Sequence, residues 1–207
     1  MIRSVVVAAV LLLSGLLISQ PALALFEARV SYGLMTTNTD LDKACTGCTG
    51  SAPSQSPTYG LGADALFELP WNWTPRLGVR YENMGATSSA NGIDIKGEFT
   101  RVALLLNWRW THSMFYFGPT LSYGLSHSTA FKITQGSLTQ GDFSPEATPS
   151  FSYAIEAGLK LIGFNIGAEL GYLDMTWSDA KDSTGNAPTQ DLHMSGPYGK
   201  FILGFSI

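Results

Sequence analysis

The sequence predicts an all-β protein, an eight-stranded antiparallel up-and-down transmembrane β-barrel. Three observations carry this. From Leu25 onward the chain breaks into eight segments in which apolar residues alternate with small, polar or charged ones, the period of a strand with two different faces. Short turns alternate with long polar loops, the plan of a barrel that crosses a bilayer. Aromatic residues collect at both ends of the apolar face, where a bilayer has its interfaces.

The first 24 residues stand apart. "MIRSVVVAAVLLLSGLLISQPALA" has a positive start at Arg3, an apolar run from Val5 to Ile18 and the small-x-small ending Ala22-Leu23-Ala24. The run is too short for a spanning helix and reads as a secretory signal peptide, cleaved after Ala24. Residues 25–207 then form one domain, the barrel. Of 12 Lys+Arg and 16 Asp+Glu, only Arg3 lies in the leader, so the mature part holds 11 against 16, a net −5. That balance excludes a basic nucleic-acid surface. No mature stretch approaches the roughly 18 apolar residues of a spanning helix.

The elements follow in order. In the first strand Phe26, Ala28, Val30, Tyr32 and Leu34 alternate with Glu27, Arg29, Ser31 and Gly33. In the second, Tyr59, Leu61, Ala63, Ala65, Phe67 and Leu69 oppose Gly60, Gly62, Asp64 and Glu68. The third sets Leu77, Val79 and Tyr81 against Arg76, Gly78, Arg80 and Glu82. The fourth sets Val102, Leu104, Leu106, Trp108 and Trp110 against Arg101, Ala103, Leu105, Asn107 and Arg109. In the fifth, Phe115 to Leu125 alternate with Tyr116, Gly118, Thr120, Ser122 and Gly124. The sixth carries Glu156 and Lys160 opposite Phe151, Tyr153, Ile155 and Leu159, and the seventh carries Glu169 opposite Phe164, Ile166, Leu170 and Tyr172. The eighth ends the chain with Phe201, Leu203, Phe205 and Ile207 on one face and Lys200, Ile202, Gly204 and Ser206 on the other.

The links "PWNWT", "THS" and "IG" are short, and the others are polar loops. A soluble sandwich also alternates, but its polar face is wetted, whereas here that face holds glycines, serines and charges of both signs. The aromatic placement decides for a membrane. Trp71, Trp73, Trp108, Trp110, Phe115 and Phe164 gather at the short-turn rim, and Tyr32, Tyr59, Tyr81, Tyr123, Tyr153 and Tyr172 toward the long loops. These form two interfacial girdles. Closure requires the eighth strand to pair with the first, because an open edge in hydrocarbon leaves backbone groups unsatisfied.

An eight-stranded barrel is just wide enough for side chains to fill it. The inward charges are Glu27, Asp64, Glu68, Glu82, Glu156 and Glu169 against Arg29, Arg76, Arg80, Arg101, Arg109, Lys160 and Lys200. Six against seven is close to balance and reads as an ion-pair network plugging the lumen. A gated pore is the alternative use of the same charges.

The leader, the eight strands and the ending "YGKFILGFSI" resemble the small eight-stranded outer-membrane barrel superfamily, with its OmpA/OmpX-like barrel domain. The resemblance implies the outer membrane of a Gram-negative-type bacterium, contact with its lipid and lipopolysaccharide, and a monomer. It also implies an assembly signal in Phe201, Leu203, Phe205 and Ile207, read by the barrel-assembly machinery; family members usually end in Phe, and this chain ends in Ile207. No peptidoglycan-binding domain follows, so the tethering role of full-length OmpA is not expected. An OmpW-like route for small hydrophobic molecules calls for an apolar lumen, and this one reads as charged.

Chemistry is sparse. Cys45 and Cys48 in "CTGC" sit in a Thr/Gly/Ser-rich stretch, which in an oxidising compartment reads as a loop disulfide. No Cys/His cluster offers a metal site, and no cofactor is implied. His127 and Ser128 in "LSHSTAF" are poorly placed as a base and nucleophile, since adjacent residues on a strand point to opposite faces; Thr129 holds the position where barrel lipid A deacylases carry serine. His127 reads as a polar rim residue, and His112 and His193 as turn and loop residues without partners. "NWT" at Asn72–Thr74 is a chance sequon. The loops carry Asp40, Asp42, Asp94, Asp142, Glu146, Asp174, Asp179, Asp182 and Asp191 against Lys43, Lys96, Lys132 and Lys181, a net −5. The expected function is structural or surface-interacting through these loops, with a surface ligand as partner. A small gated pore or transporter for small solutes is the alternative, a lipid A-modifying enzyme the third reading, and no catalytic residue is assigned.

Overall fold

A computed structural model describes residues 26–36, 38–39, 58–68, 75–90, 93–135, 138–143, 146–147, 150–178 and 192–206. Eight long strands make the wall: β1 (Phe26–Met35), β2 (Thr58–Phe67), β3 (Arg76–Ala90), β4 (Ile93–Asn107), β5 (Phe115–Gln135), β6 (Phe151–Leu161), β7 (Phe164–Ser178) and β8 (Leu192–Ser206). Each pairs antiparallel with its neighbour in chain order. β8 returns to β1 from Glu27↔Ser206 through Met35↔Tyr198. The protein is thus a closed all-β barrel with no edge in its wall, which is what a backbone in hydrocarbon requires.

Closure turns the period-two pattern into an inside and an outside. Val30, Leu61, Ile155 and Leu170 point outward, and Leu170 is 70% exposed. Glu27, Arg29, Asp64, Arg80, Glu156 and Glu169 point inward and are buried. This inversion, apolar outside and ionised inside, is stable only if lipid covers the outer face. The short-turn side is held by the two-residue link Ile162–Gly163, where Gly163 takes φ +76°, a region open to glycine at no steric cost.

Several strands run further than their apolar alternation suggested. β3 and β4 continue in register to Ala90↔Ile93, with only the pair Asn91-Gly92 between them in sequence. β5 continues to Gln135, and Leu138–Phe143 folds back on it. Asp94, Lys96, Lys132, Asp142, Glu146 and Asp174, expected on loops, therefore lie on strands. At the other rim β4 ends at Asn107, and Trp110–His112 pairs with β5 as a separate short strand.

The β4–β5 ladder is irregular at one point. Its register shifts between Val102, opposite Ser126, and Ala103, opposite Gly124, so Leu125 is an extra residue in β5. Below this bulge the even-numbered residues of β5 face inward; just above it Ser126 and Ser128 are exposed and His127 is half-buried.

At Gly118 the chain approaches closely enough that a Cβ would overlap the Trp108 backbone carbonyl oxygen, which cannot rotate away. At Gly199 a Cβ would meet only the tip of Leu170, at 3.2 Å. Gly118→Ala is therefore expected to cost about 1–3 kcal/mol and Gly199→Ala much less. Urea unfolding of the refolded protein in lipid vesicles checks this, and equal midpoints for the two variants contradict it.

Candidate functional site

The lumen is the one concentration of chemistry among the described residues, and it is built by alternation. Arg80 from β3 is fully engaged: Nε donates to Asp64 Oδ1 at 2.9 Å, while Nη1 and Nη2 donate to Glu169 Oε1 and Oε2 at 2.7 and 2.8 Å. Arg29 from β1 donates to Asp64 at 2.6 Å on one side and to Glu156 at 2.9 Å on the other. Arg109 links Glu156 at 2.6 Å to Glu27 at 2.8 Å. Arg76 links Glu27 to Glu68, both at 2.6 Å, where Glu68 reaches the short-turn rim.

In the opposite direction Lys200 lies 3.8 Å from Glu169 and pairs with Glu82, which accepts from Arg101 at 2.7 Å. The result is one unbroken chain: Glu68, Arg76, Glu27, Arg109, Glu156, Arg29, Asp64, Arg80, Glu169, Lys200, Glu82, Arg101. Acid and base alternate at every step, six against six. Neutral groups fill remaining lone pairs: Asn107 donates to Glu156 at 2.8 Å and Tyr198 to Glu169 at 2.8 Å. Arginine suits this role because its fork satisfies two carboxylates at once.

Lys160 is the exception to the expected set. It stands half-buried near the short-turn rim, its backbone N–H bonded to Met114 O, and its ammonium pairs with no described carboxylate. That removes the seventh base and leaves the chain neutral.

Toward the long-loop end the lumen changes character. Met35, Met84, Phe99, Leu173, Met175 and Met194 point inward and are buried, an apolar layer above the charges that alternation alone did not predict. The gap between Met35, Met84, Tyr198 and the Glu82–Lys200 pair has a cavity volume of about 20 Å³, room for a water or so.

On the outer face Tyr32, Tyr81, Tyr123 and Tyr153 are exposed and Tyr172 half-buried, with Tyr153 stacked on Tyr172 at 5.9 Å. Trp108 stacks on Trp110 at 6.1 Å, and Trp110 leans on Phe117 at the short-turn rim. Phe201, Leu203 and Phe205 of β8 face outward, with Phe205 edge-on to Phe164. Residues 1–24, Cys45, Cys48, Trp71, Trp73 and Ile207 lie outside the described residues, as do Asn72–Thr74, the side chain of Tyr59 and the loop charges Asp40, Asp42, Lys43, Asp179, Lys181, Asp182 and Asp191.

The histidines differ from expectation. His193 lies on β8, exposed, with Nδ1 3.1 Å from Thr176 Oγ1. His127 is turned inward by the bulge and meets Ser150, while Ser128 is exposed on the opposite face. The bulge is what strict alternation missed.

No protein-family model and no curated protein matches the chain. Among solved structures it is similar to the attachment invasion locus protein Ail of Yersinia pestis, at 13% identity and TM-score 0.49, covering 89% of this chain and 99% of that one. It is also similar to the outer membrane protein OprG of Pseudomonas aeruginosa, at 16% identity and TM-score 0.42, over 89% and 96% of the two chains. The outer membrane enzyme PagL is similar at 15% identity and TM-score 0.36, over 83% and 97%. At these identities the likeness is one of fold. In architecture the chain is a closed eight-stranded antiparallel barrel.

Breaking the chain of charges at its middle is expected to be costly. Arg80→Met leaves six acids against five bases in the buried chain, with Asp64 and Glu169 each reduced to one cationic neighbour, and should lose about 3–5 kcal/mol of stability, the range for an uncompensated buried charge. Lys160→Met should stay within about 0.5 kcal/mol. Urea midpoints in lipid vesicles read both, and equal losses would contradict the difference in pairing between them.

Proposed function

We propose that this chain is an outer-membrane barrel of a Gram-negative-type bacterium whose lumen is a plug and whose work is done at the cell surface by strands that rise past the membrane. The observation that carries this is the ladder above the bulge. The apolar outer face of β5 ends at Leu125, yet Ser126–Gln135 remain paired with Ile93–Val102 of β4. A tilted strand needs only about 9–11 residues to cross hydrocarbon. β5 has 21, so roughly ten residues, about 30 Å of strand, continue beyond the lipid. A ribbon of paired strands is a rigid mount for a contact surface, and a mobile loop is not.

The plug supports the same reading. Every charge in the alternating chain is spent on neighbours, and the apolar layer above it is packed, so a small gated pore has no observation in its favour. The reading is also non-enzymatic: His127 and Ser128 lie on opposite faces of β5. Export by a signal peptide cleaved after Ala24, a Cys45–Cys48 loop disulfide, β8 as the assembly signal and a monomer embedded among lipid and lipopolysaccharide belong to the same proposal.

Two measurements test it. In a Cys45→Ser, Cys48→Ser background, Thr87→Cys on the ribbon is expected to react with a membrane-impermeant maleimide on intact cells. His112→Cys, at the short-turn rim, is expected to react only after the outer membrane is opened. The refolded wild type is expected to give no discrete conductance steps in planar bilayers. Reversed labelling overturns the orientation, and steps abolished by Arg80→Met overturn the plug.

A further inference from the structure

The charge chain does not stop at Arg101. Arg101 Nε donates to Ser150 Oγ at 2.6 Å, and Ser150 Oγ lies 2.8 Å from His127 Nε2. Ser150 is fully buried, and its carbonyl accepts the Gly124 N–H at 2.7 Å. This residue immediately precedes β6, so the contacts fasten the entry of β6 to β5 at the long-loop rim. They exist because of the bulge: without Leu125 as an extra residue, His127 would face outward.

The protons can be placed by elimination. An arginine Nε–H only donates, so Ser150 Oγ accepts from it, and among the described residues the one acceptor left for the buried serine's own proton is His127 Nε2. Nε2 must therefore be a bare acceptor, and the neutral ring carries its hydrogen on Nδ1. A serine donating to a neutral imidazole is also how a hydrolase nucleophile begins. Here, however, the serine is sealed from solvent and its oxygen is occupied by Arg101, so no substrate carbonyl has an approach.

We propose that the His127–Ser150 contact is a proton-operated latch, closed when the imidazole is neutral and released when it is protonated. Protonation removes the acceptor of the serine hydroxyl and sets a second cation beside Arg101. The described groups around it offer no compensation. Arg101 from β4 is a cation; Glu82 from β3 is bonded to Arg101 and to Lys200 from β8. Ser122 from β5, Ser150 just before β6 and Ser152 from β6 are neutral, and the two hydroxyls of Ser122 and Ser152 bond each other at 2.5 Å.

His127 stands above the apolar belt, and burial, followed by the Arg101 guanidinium, pushes its pKa below the usual histidine value. The native ring thus takes a proton less readily than the freed one. The latch holds fully above about pH 6.5 and weakens as pH falls toward the lowered native value, with the opening constant rising up to about tenfold per pH unit in that window. This device is independent of whether the surface ribbon binds a partner.

Hydrogen exchange on the refolded full chain in lipid nanodiscs tests it, with an internal reference. The Gly124 amide is bonded to Ser150 O, and the Lys160 amide is bonded to Met114 O at the other rim at 2.6 Å. Between about pH 7.5 and 5 the Gly124 protection factor is expected to fall while that of Lys160 holds. His127→Gln, which keeps an acceptor that does not titrate, is expected to flatten the Gly124 profile. Nitrogen NMR of His127 at the higher pH should report the Nδ1–H tautomer. Gly124 tracking Lys160, an unchanged profile in His127→Gln, or the Nε2–H tautomer would each overturn the latch.

Discussion

Everything in this protein follows from the requirement that no backbone N–H or C=O be left unpaired in hydrocarbon. β1 and β8 are the ends of the sheet, and their pairing from Glu27↔Ser206 to Met35↔Tyr198 removes the last open edge. With eight strands the closed wall encloses a bore only as wide as the side chains that line it. The face that does not meet lipid must then fill that bore. Closure therefore dictates both faces: an apolar one that needs no partner beyond the acyl chains, and a polar one that has to satisfy itself.

The alternating charge chain is how the second demand is met. A lumen lined only by apolar side chains would satisfy packing, but it would leave the barrel with two greasy faces and no preference for which one turns to lipid. Placing ionised groups on one face settles that choice, since exposing Arg80 or Glu169 to hydrocarbon is far worse than burying them against each other. Once inside, each charge needs partners on both sides. The order from Glu68 to Arg101 gives every interior member two opposite neighbours. Small residues make room for the bulky ones: Tyr116 lies against Gly158 and Gly167, where any Cβ would collide with its ring or hydroxyl. Arg109 stacks over that ring at 4.4 Å.

Much of this was legible from alternation alone. Period two assigns Glu27, Arg29, Asp64 and Arg80 to one face without knowledge of any contact, and closure of eight strands makes that face a lumen. What alternation could not supply was order. Nothing in the spacing shows that Arg109 joins Glu156 to Glu27 across strands 47 and 82 residues away in sequence, or that Lys160 pairs with none of the described acids. The strand ends were misplaced for a different reason. Outside the bilayer the outer face is released from its apolar requirement, so "ATSSA" loses the alternating signal and "IDIKGEF" keeps a period of two with the charged Lys96 and Glu98 on the exposed face, while the ladder continues. The Asn91-Gly92 pair between them is a strong hairpin signal and was the clue available. The inward methionines Met35, Met84, Met175 and Met194 were missed with it, because they lie on those same extensions or at their start.

The bulge at Leu125 sits where these two regimes meet, and its position has a physical reason. A one-residue slip exchanges the faces of every residue beyond it. Anywhere lower in β5 such a slip would turn Phe115, Phe117, Leu121 or Tyr123 into the lumen and present its polar partners to lipid. Above Leu125 no lipid remains to object, so the extra residue is tolerated there first. Its effect is to bring His127 inward, opposite Arg101, at the very end of the charge chain. The same residue thus ends the lower register, starts the extended β4–β5 ladder and joins it to the charge chain through His127 and Ser150. A register change that is forbidden within the bilayer becomes, one residue above it, the joint between the charge chain and the continuing β4–β5 ladder.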